Sequence, residues 1–313
     1  MTYHIRQNAA LTLGLLLTLL CAGSAHAMGR DVPSLPPRWE SLAEKLIRDG
    51  LPGHQVTALF RRGDVLYKSE FMGKKIRALS RTKYGVPARE PEPVKEIAPT
   101  RRDKRSLYDV HLTPDRLAAV RVFYQEHELA LSSVEQRFGT PRQLVMAILV
   151  VETRLGEYLG EQSAFNSLAS MAATRSLGDI AAFLPETLTT EQRQYLTRRT
   201  QDKADWAYTQ LKALIRFSEQ SGLDPVAMPG SIYGAIGLCQ FIPTTALERG
   251  VDGDGDGCVD LYNPADAVHS VGNFLRKAGW KSGLSSKQQV QVVRRYNNDE
   301  YYARTVLRLA SLL

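Results

Sequence analysis

Pro141-Arg142-Gln143-Leu144-Val145-Met146-Ala147-Ile148-Leu149-Val150-Val151-Glu152-Thr153-Arg154-Leu155-Gly156 decides the fold. Thr140-Pro141 is a helix-start signal and Gly156 a stop. Between them Leu144 to Val151 is apolar on every face of a helix, and a helix apolar all round lies in a core. Glu152 follows directly, one turn after Ile148 and Leu149 and one turn before Leu155. A carboxylate in that position loses hydration, which disfavours its charged form and raises its pKa, as a general acid near neutral pH requires. The same position also suits the buried partner of an arginine, and this stretch alone leaves the two readings open.

Outward from this helix the pattern stays helical. Pro36 to Gly50 predicts a short amphipathic helix with Trp39, Leu42, Leu46 and Ile47 on one side, and residues 51–84 read as further short helical pieces rich in Arg and Lys. Together, residues 28–84 form an N-terminal helical region. Residues 85–105 carry Pro87, Pro91, Pro93 and Pro99 among charges and read as a linker or surface crossing. Thr113-Pro114 predicts a helix over about 114–137, closed by Gly139. Further helices are expected over 202–220, Val268 to Ala278 and Tyr301 to Leu312. Few segments alternate with period two, so the fold class is mainly α. Residues 175–205, with Arg193, Arg198 and Arg199, match no motif and read either as a helical lobe over a groove or as a solvated helical face.

The first 27 residues read as a signal peptide: Arg6 in the n-region, an apolar run from Ala9 to Ala22, and Ala25-His26-Ala27 before the cut. The run falls short of the roughly 20 residues that span a bilayer. Cys21 follows Leu20 rather than a small residue, so a lipoprotein anchor is the lesser expectation and a periplasmic protein cleaved after Ala27 the greater. The formal charge of +7 suits an anionic polymer. No basic run with interleaved aromatics is present, and export argues against nucleic acid. Beyond the signal peptide only Cys239 and Cys258 remain, too few for a disulfide framework; they read as one bridge or as two separate thiols.

Three later segments carry polar chemistry. Gly230 to Pro243 is glycine-rich and holds Ser231 and Gln240, neutral groups suited to hydroxyls and acetamido groups; its glycines equally suit a tight helix crossing. Tyr296-Asn297-Asn298-Asp299-Glu300-Tyr301-Tyr302 combines aromatic rings, which stack on sugars, with amides, and also reads as a surface turn before the last helix. Asp252-Gly253-Asp254-Gly255-Asp256-Gly257-Cys258 matches the start of an EF-hand loop. Asp252, Asp254 and Asp256 would supply carboxylates and Cys258 its backbone carbonyl. Asn263 stands where a bidentate glutamate is usual, and Asp266 is the natural substitute. One structural Ca2+ is therefore expected in the loop 252–266, and no organic cofactor.

In order and spacing, Ala147 to Gly156, Gly230 to Pro243, the lone EF-hand-like loop and Tyr296-Asn297 with Tyr301-Tyr302 resemble the membrane-bound lytic murein transglycosylase B family. The resemblance covers residues 106–313 well and 36–84 faintly. It implies a goose-lysozyme-like α core that cleaves the MurNAc–GlcNAc β-1,4 bond of peptidoglycan without water. The residue matching Glu152 acts first as acid and then as base, leaving a 1,6-anhydroMurNAc end. It also implies that Ser231, Gln240, Tyr296, Asn297 and Tyr302 contact the glycan. The expected partners are peptidoglycan strands, together with cell-wall synthesis or degradation proteins. Leu155 and Leu238 stand where the family often has aromatics, and Cys239 replaces a small residue.

Ordinary glycosidases use two carboxylates about 5–9.5 Å apart. Only Glu152 is well placed in the sequence; Glu157 and Glu161 lie past the helix stop, and Asp260 and Asp266 belong to the metal loop. The rivals are a hydrolytic muramidase on the same scaffold and a non-catalytic peptidoglycan-binding scaffold protein. A binding protein has no need of a buried acid, which weighs against the last.

Overall fold

The computed structural model describes residues 35–85 and 113–313. The signal-peptide segment, Cys21 and all but the first residue of the 85–105 linker lie outside them. Three helices come first: α1 (Pro37–Arg48), α2 (Gly53–Phe60) and α3 (Glu70–Tyr84). They are followed by α4 (Pro114–Glu126), α5 (Glu128–Phe138), α6 (Arg142–Thr153) and α7 (Ala164–Ala173). A 3₁₀ turn (Gly178–Phe183) leads to the long α8 (Thr190–Ser221), and α9 (Pro243–Arg249), α10 (Pro264–Lys277), α11 (Ser286–Val293) and α12 (Glu300–Ala310) complete the chain. Two short strands, β1 (Gln162–Ser163) and β2 (Pro229–Gly230), pair antiparallel with Gln162 opposite Gly230.

The core forms around α6, where every residue from Leu144 to Val150 is at most 3% exposed. Helix α12 packs along α6, α10 packs on α5, and α7 and α9 both pack on α8. The N-terminal helices join this core rather than standing apart from it. Trp39 of α1 meets Phe60 of α2 at 5.3 Å between ring centroids, and Phe60 meets Phe165 of α7 at 5.5 Å. Burying such side chains contributes on the order of 2–3 kcal/mol each.

Three local expectations are corrected. The predicted 114–137 helix is broken at His127 (φ −119°, ψ 22°), whose ring instead packs on Phe123. Ile47, expected on the buried side of α1, is 39% exposed, while Trp39, Leu42 and Leu46 are buried. The helix expected at 202–220 begins at Thr190, where Thr189 and Gln192 form a capping box that satisfies two otherwise unpaired N–H groups. Most of the unassigned 175–205 stretch is therefore the front half of α8.

Candidate active site

Glu152 sits in the last turn of α6, where the chain reverses at once. Arg154 (φ 55°) and Leu155 (φ 64°) both adopt the left-handed conformation, which is uncommon for residues with a Cβ, before Gly156. Thr153 holds this turn in place: its hydroxyl donates to the Leu238 carbonyl at 2.8 Å and accepts from the Gly156 N–H at 3.1 Å. The end of the acid's helix is thus tied to the glycine-rich segment.

That segment packs by its backbone. Gly160 has φ +105°, and a Cβ there would lie 2.1 Å from the Gly230 carbonyl oxygen, so the β1–β2 pairing requires glycine. Ser231 Oγ accepts from the Tyr233 and Ala235 N–H groups at 3.2 and 3.1 Å and shapes the next turn. Gln240 is also left-handed (φ 49°), and its side-chain amide donates to the Gly237 carbonyl at 3.0 Å.

These elements enclose a cavity of about 270 Å³ whose wall includes Glu152, Glu161, Gln162, Ser231 and Gln240. Glu152 is half-buried at the cavity wall, and loss of hydration pushes its carboxyl up from the ordinary 4.5 to about 7. The Tyr302 hydroxyl donates to Glu152 Oε1 at 2.5 Å and offsets part of that rise by favouring the charged form. Tyr302 is delivered from the first turn of α12, where Asp299 caps the helix by accepting from the Tyr301 and Tyr302 N–H groups. The group is thus protonated for about half the time near neutrality and able both to give and to take a proton.

The structure brings Glu152, Ser231 and Gln240 to one cavity and places Tyr302 behind the acid. Tyr296 is turned away: its hydroxyl donates to the Cys239 carbonyl, and its ring stacks on Tyr302 (6.4 Å, 9°) and packs against Phe241 and Phe274. Asn297 is exposed and is not part of the cavity wall. Glu161, set aside in the sequence as lying beyond the helix stop, is an exposed residue that lines the cavity. Gln162 also lines it and accepts from Lys68 Nζ at 3.0 Å, which brings the N-terminal region to its edge. Cys239 and Cys258 are separate thiols, and burial pushes that of Cys239 up to about 12.

At the acidic loop the side-chain oxygens of Asp252, Asp254 and Asp266 converge within 4.8 Å of one another. Three hard oxygen donors in such proximity fit a divalent cation such as Ca2+. Asp266 is buried and accepts from the Gly253 and Asp260 N–H groups. Asn263 itself caps α10 through the Ala265 N–H and donates to Asp254 at 2.6 Å. Asp256 stands outside the converging trio and accepts from the Cys258 N–H at 2.8 Å.

A helical core with a half-buried glutamate at the end of a buried helix, beside a glycine-rich wall, defines the lysozyme-like class of scaffold. Within that class the chain belongs to the Transglycosylase SLT domain family, whose profile matches residues 38–292. It is 28% identical over 172 residues to membrane-bound lytic murein transglycosylase B of Escherichia coli, a match covering 55% of this chain and 41% of that relative. The E. coli lytic transglycosylase SLT35, solved in complex with calcium, superposes with a TM-score of 0.62 at 19% identity, over 88% of this chain and 92% of that one. SltB3 from Pseudomonas aeruginosa, solved with NAG-anhNAM-pentapeptide, gives a TM-score of 0.62 at 19% identity, over 87% and 77%.

Proposed function

We propose that this chain is a lytic transglycosylase that cleaves the MurNAc–GlcNAc β-1,4 bond of peptidoglycan and leaves a 1,6-anhydroMurNAc end. The observation that carries the reading is Glu152: a carboxyl at about 7, held by Tyr302, on the wall of a cavity shared with Ser231 and Gln240. In its protonated form Glu152 donates to the glycosidic oxygen as the C1–O bond breaks. The resulting carboxylate then accepts the C6 hydroxyl proton as that oxygen bonds to C1 of the same sugar, so no water enters and Glu152 ends protonated, as it began. Ser231 and Gln240 hold the acetamido and hydroxyl groups flanking the bond. Tyr302 acts on the acid rather than on the sugar, and Tyr296 supports Tyr302. The murein in the name of the E. coli relative and the glycopeptide bound by SltB3 support the substrate class.

The expected export places the mature chain in the periplasm, where its substrate lies, with residues 1–27 as the removed signal; no helix among the described residues is long and apolar enough to cross a membrane. A Ca2+ held by Asp252, Asp254 and Asp266 would tie the loop to the start of α10, supplying stability rather than chemistry. Digestion of purified sacculi tests the assignment, with anhydromuramoyl products that vanish in Glu152→Gln as the expected result. Glu161 favours one second reading, a hydrolase that activates water with this other carboxylate. Reducing MurNAc ends that disappear in Glu161→Gln would establish it instead.

A further inference from the structure

Helices α3 and α8 pack on each other and bring three cations within electrostatic reach of one another. Lys75 lies on α3, while Arg199 and Lys203 lie one turn apart on α8, and all three are half-buried. Among the described residues neither Lys75 nor Lys203 has a carboxylate within ion-pair distance. Arg199 uses one nitrogen on Asp202 at 3.0 Å and leaves its buried Nε without a partner. Lys75 Nζ stands 4.4 Å from the centre of the Tyr233 ring, and Tyr233 directly follows Ile232 of the cavity wall. Loss of hydration and then repulsion from Lys203 and Arg199 lower the pKa of Lys75. Like charges held this close and partly dry are unfavourable on their own, and an anion between them relieves the repulsion.

We propose that Lys75, Arg199 and Lys203, with the Tyr233 ring beneath Lys75, form a subsite for the carboxylates of the peptide stem carried by a glycan strand in the cavity. The inference rests on peptidoglycan being the substrate. Stem carboxylates suit it because they are the negative charges that such a strand presents one lactyl arm away from the sugar backbone. Lys68, which donates to Gln162 on the cavity wall, adds a further positive charge at the edge of the cleft.

The test compares two substrates, glycan strands bearing free-carboxylate stems and the same strands stripped of stems by an amidase. They are cleaved by the wild-type chain, by Lys75→Met/Lys203→Met, and by the charge-preserving Lys75→Arg/Lys203→Arg. We expect KM on stem-bearing strands to rise about tenfold in the Met variant, with kcat within about twofold, and to recover in the Arg variant. Stripped strands should show no difference among the three, which also establishes that the variants are folded. Equal effects on both substrates, or none on either, overturn the subsite. If the wild-type chain cuts neither substrate, co-sedimentation decides separately: selective loss of stem-bearing strands in the Met variant keeps the subsite while the proposed reaction fails.

Discussion

Replacing Glu152 by Gln is expected to abolish cleavage and, at the same time, to stabilise the fold in a pH-dependent way. The carboxyl has an ordinary value of 4.5 and a folded value of about 7. Between those values the native chain holds a proton that the unfolded chain has released, so native stability falls as pH rises through this window. At about 1.4 kcal/mol per pH unit, the cost reaches about 3 kcal/mol once pH exceeds 7 and is below about 0.5 kcal/mol near pH 4.5. Gln keeps the shape and offers an amide oxygen to the Tyr302 hydroxyl without the buried charge. Urea unfolding of both proteins at pH 4.5, 6 and 8 should therefore show a difference that grows with pH, by about 3 kcal/mol in favour of the variant at pH 8. A difference that ignores pH, or a variant less stable than wild type at pH 8, would refute the claim that Glu152 is held against its own ionisation.

Tyr302→Phe removes the bond that favours the charged form of Glu152, so the alkaline limb of the kcat/KM profile should move to higher pH; an unchanged limb would separate the tyrosine from the acid. Gly234→Ala forces a Cβ to within 2.4 Å of Leu168 Cγ at φ +77°, and the urea midpoint should fall by the equivalent of about 2–3 kcal/mol. A chelator should lower Tm in wild type and have no further effect in Asp252→Ala, while Asp256→Ala, outside the converging trio, should keep most of its calcium response. Indifference of wild-type melting to chelator and calcium alike would sink the metal assignment. Ile148→Ala, in the middle of α6, should cost about 2–5 kcal/mol by chemical unfolding, because α6 is enclosed on every side.

What could be read directly from the sequence was local. An unbroken apolar run with a carboxylate at its end marked the core helix and the glutamate that lines the cavity, and the alternating Asp and Gly of 252–257 marked the acidic loop. The break at His127 left no trace, because no Gly or Pro stands there and both flanking segments are helix formers. The start of α8 did leave one: Thr189 and Gln192 make a capping box, hidden because its first turns are polar and carry no apolar stripe. Long-range arrangements were not legible. Glu161 reaches the cavity because Gly160 backs onto Gly230, some 70 residues away, a contact between backbones that no side-chain pattern announces. Tyr302 meets an acid 150 residues earlier, and sequence spacing says nothing about such a meeting. Tyr296 and Tyr302, alike as aromatic side chains, separate into a packing group and an acid-holding group only once α12 lies along α6.

The Thr153–Leu238 hydrogen bond makes the acid and the wall opposite it parts of one frame. Thr153 is the covalent neighbour of Glu152, and Leu238 is two residues from Gln240, so one hydrogen bond joins the end of α6 to the cavity wall that carries Gln240. Tyr302 is anchored in a different helix, and Tyr296, just before that helix and stacked on Tyr302, donates to the Cys239 carbonyl of the same wall. Glu152, its tyrosine partner and the glycine-rich wall are thus linked through two neighbouring carbonyls, those of Leu238 and Cys239, so a substitution that displaces this short stretch of backbone would disturb all three together.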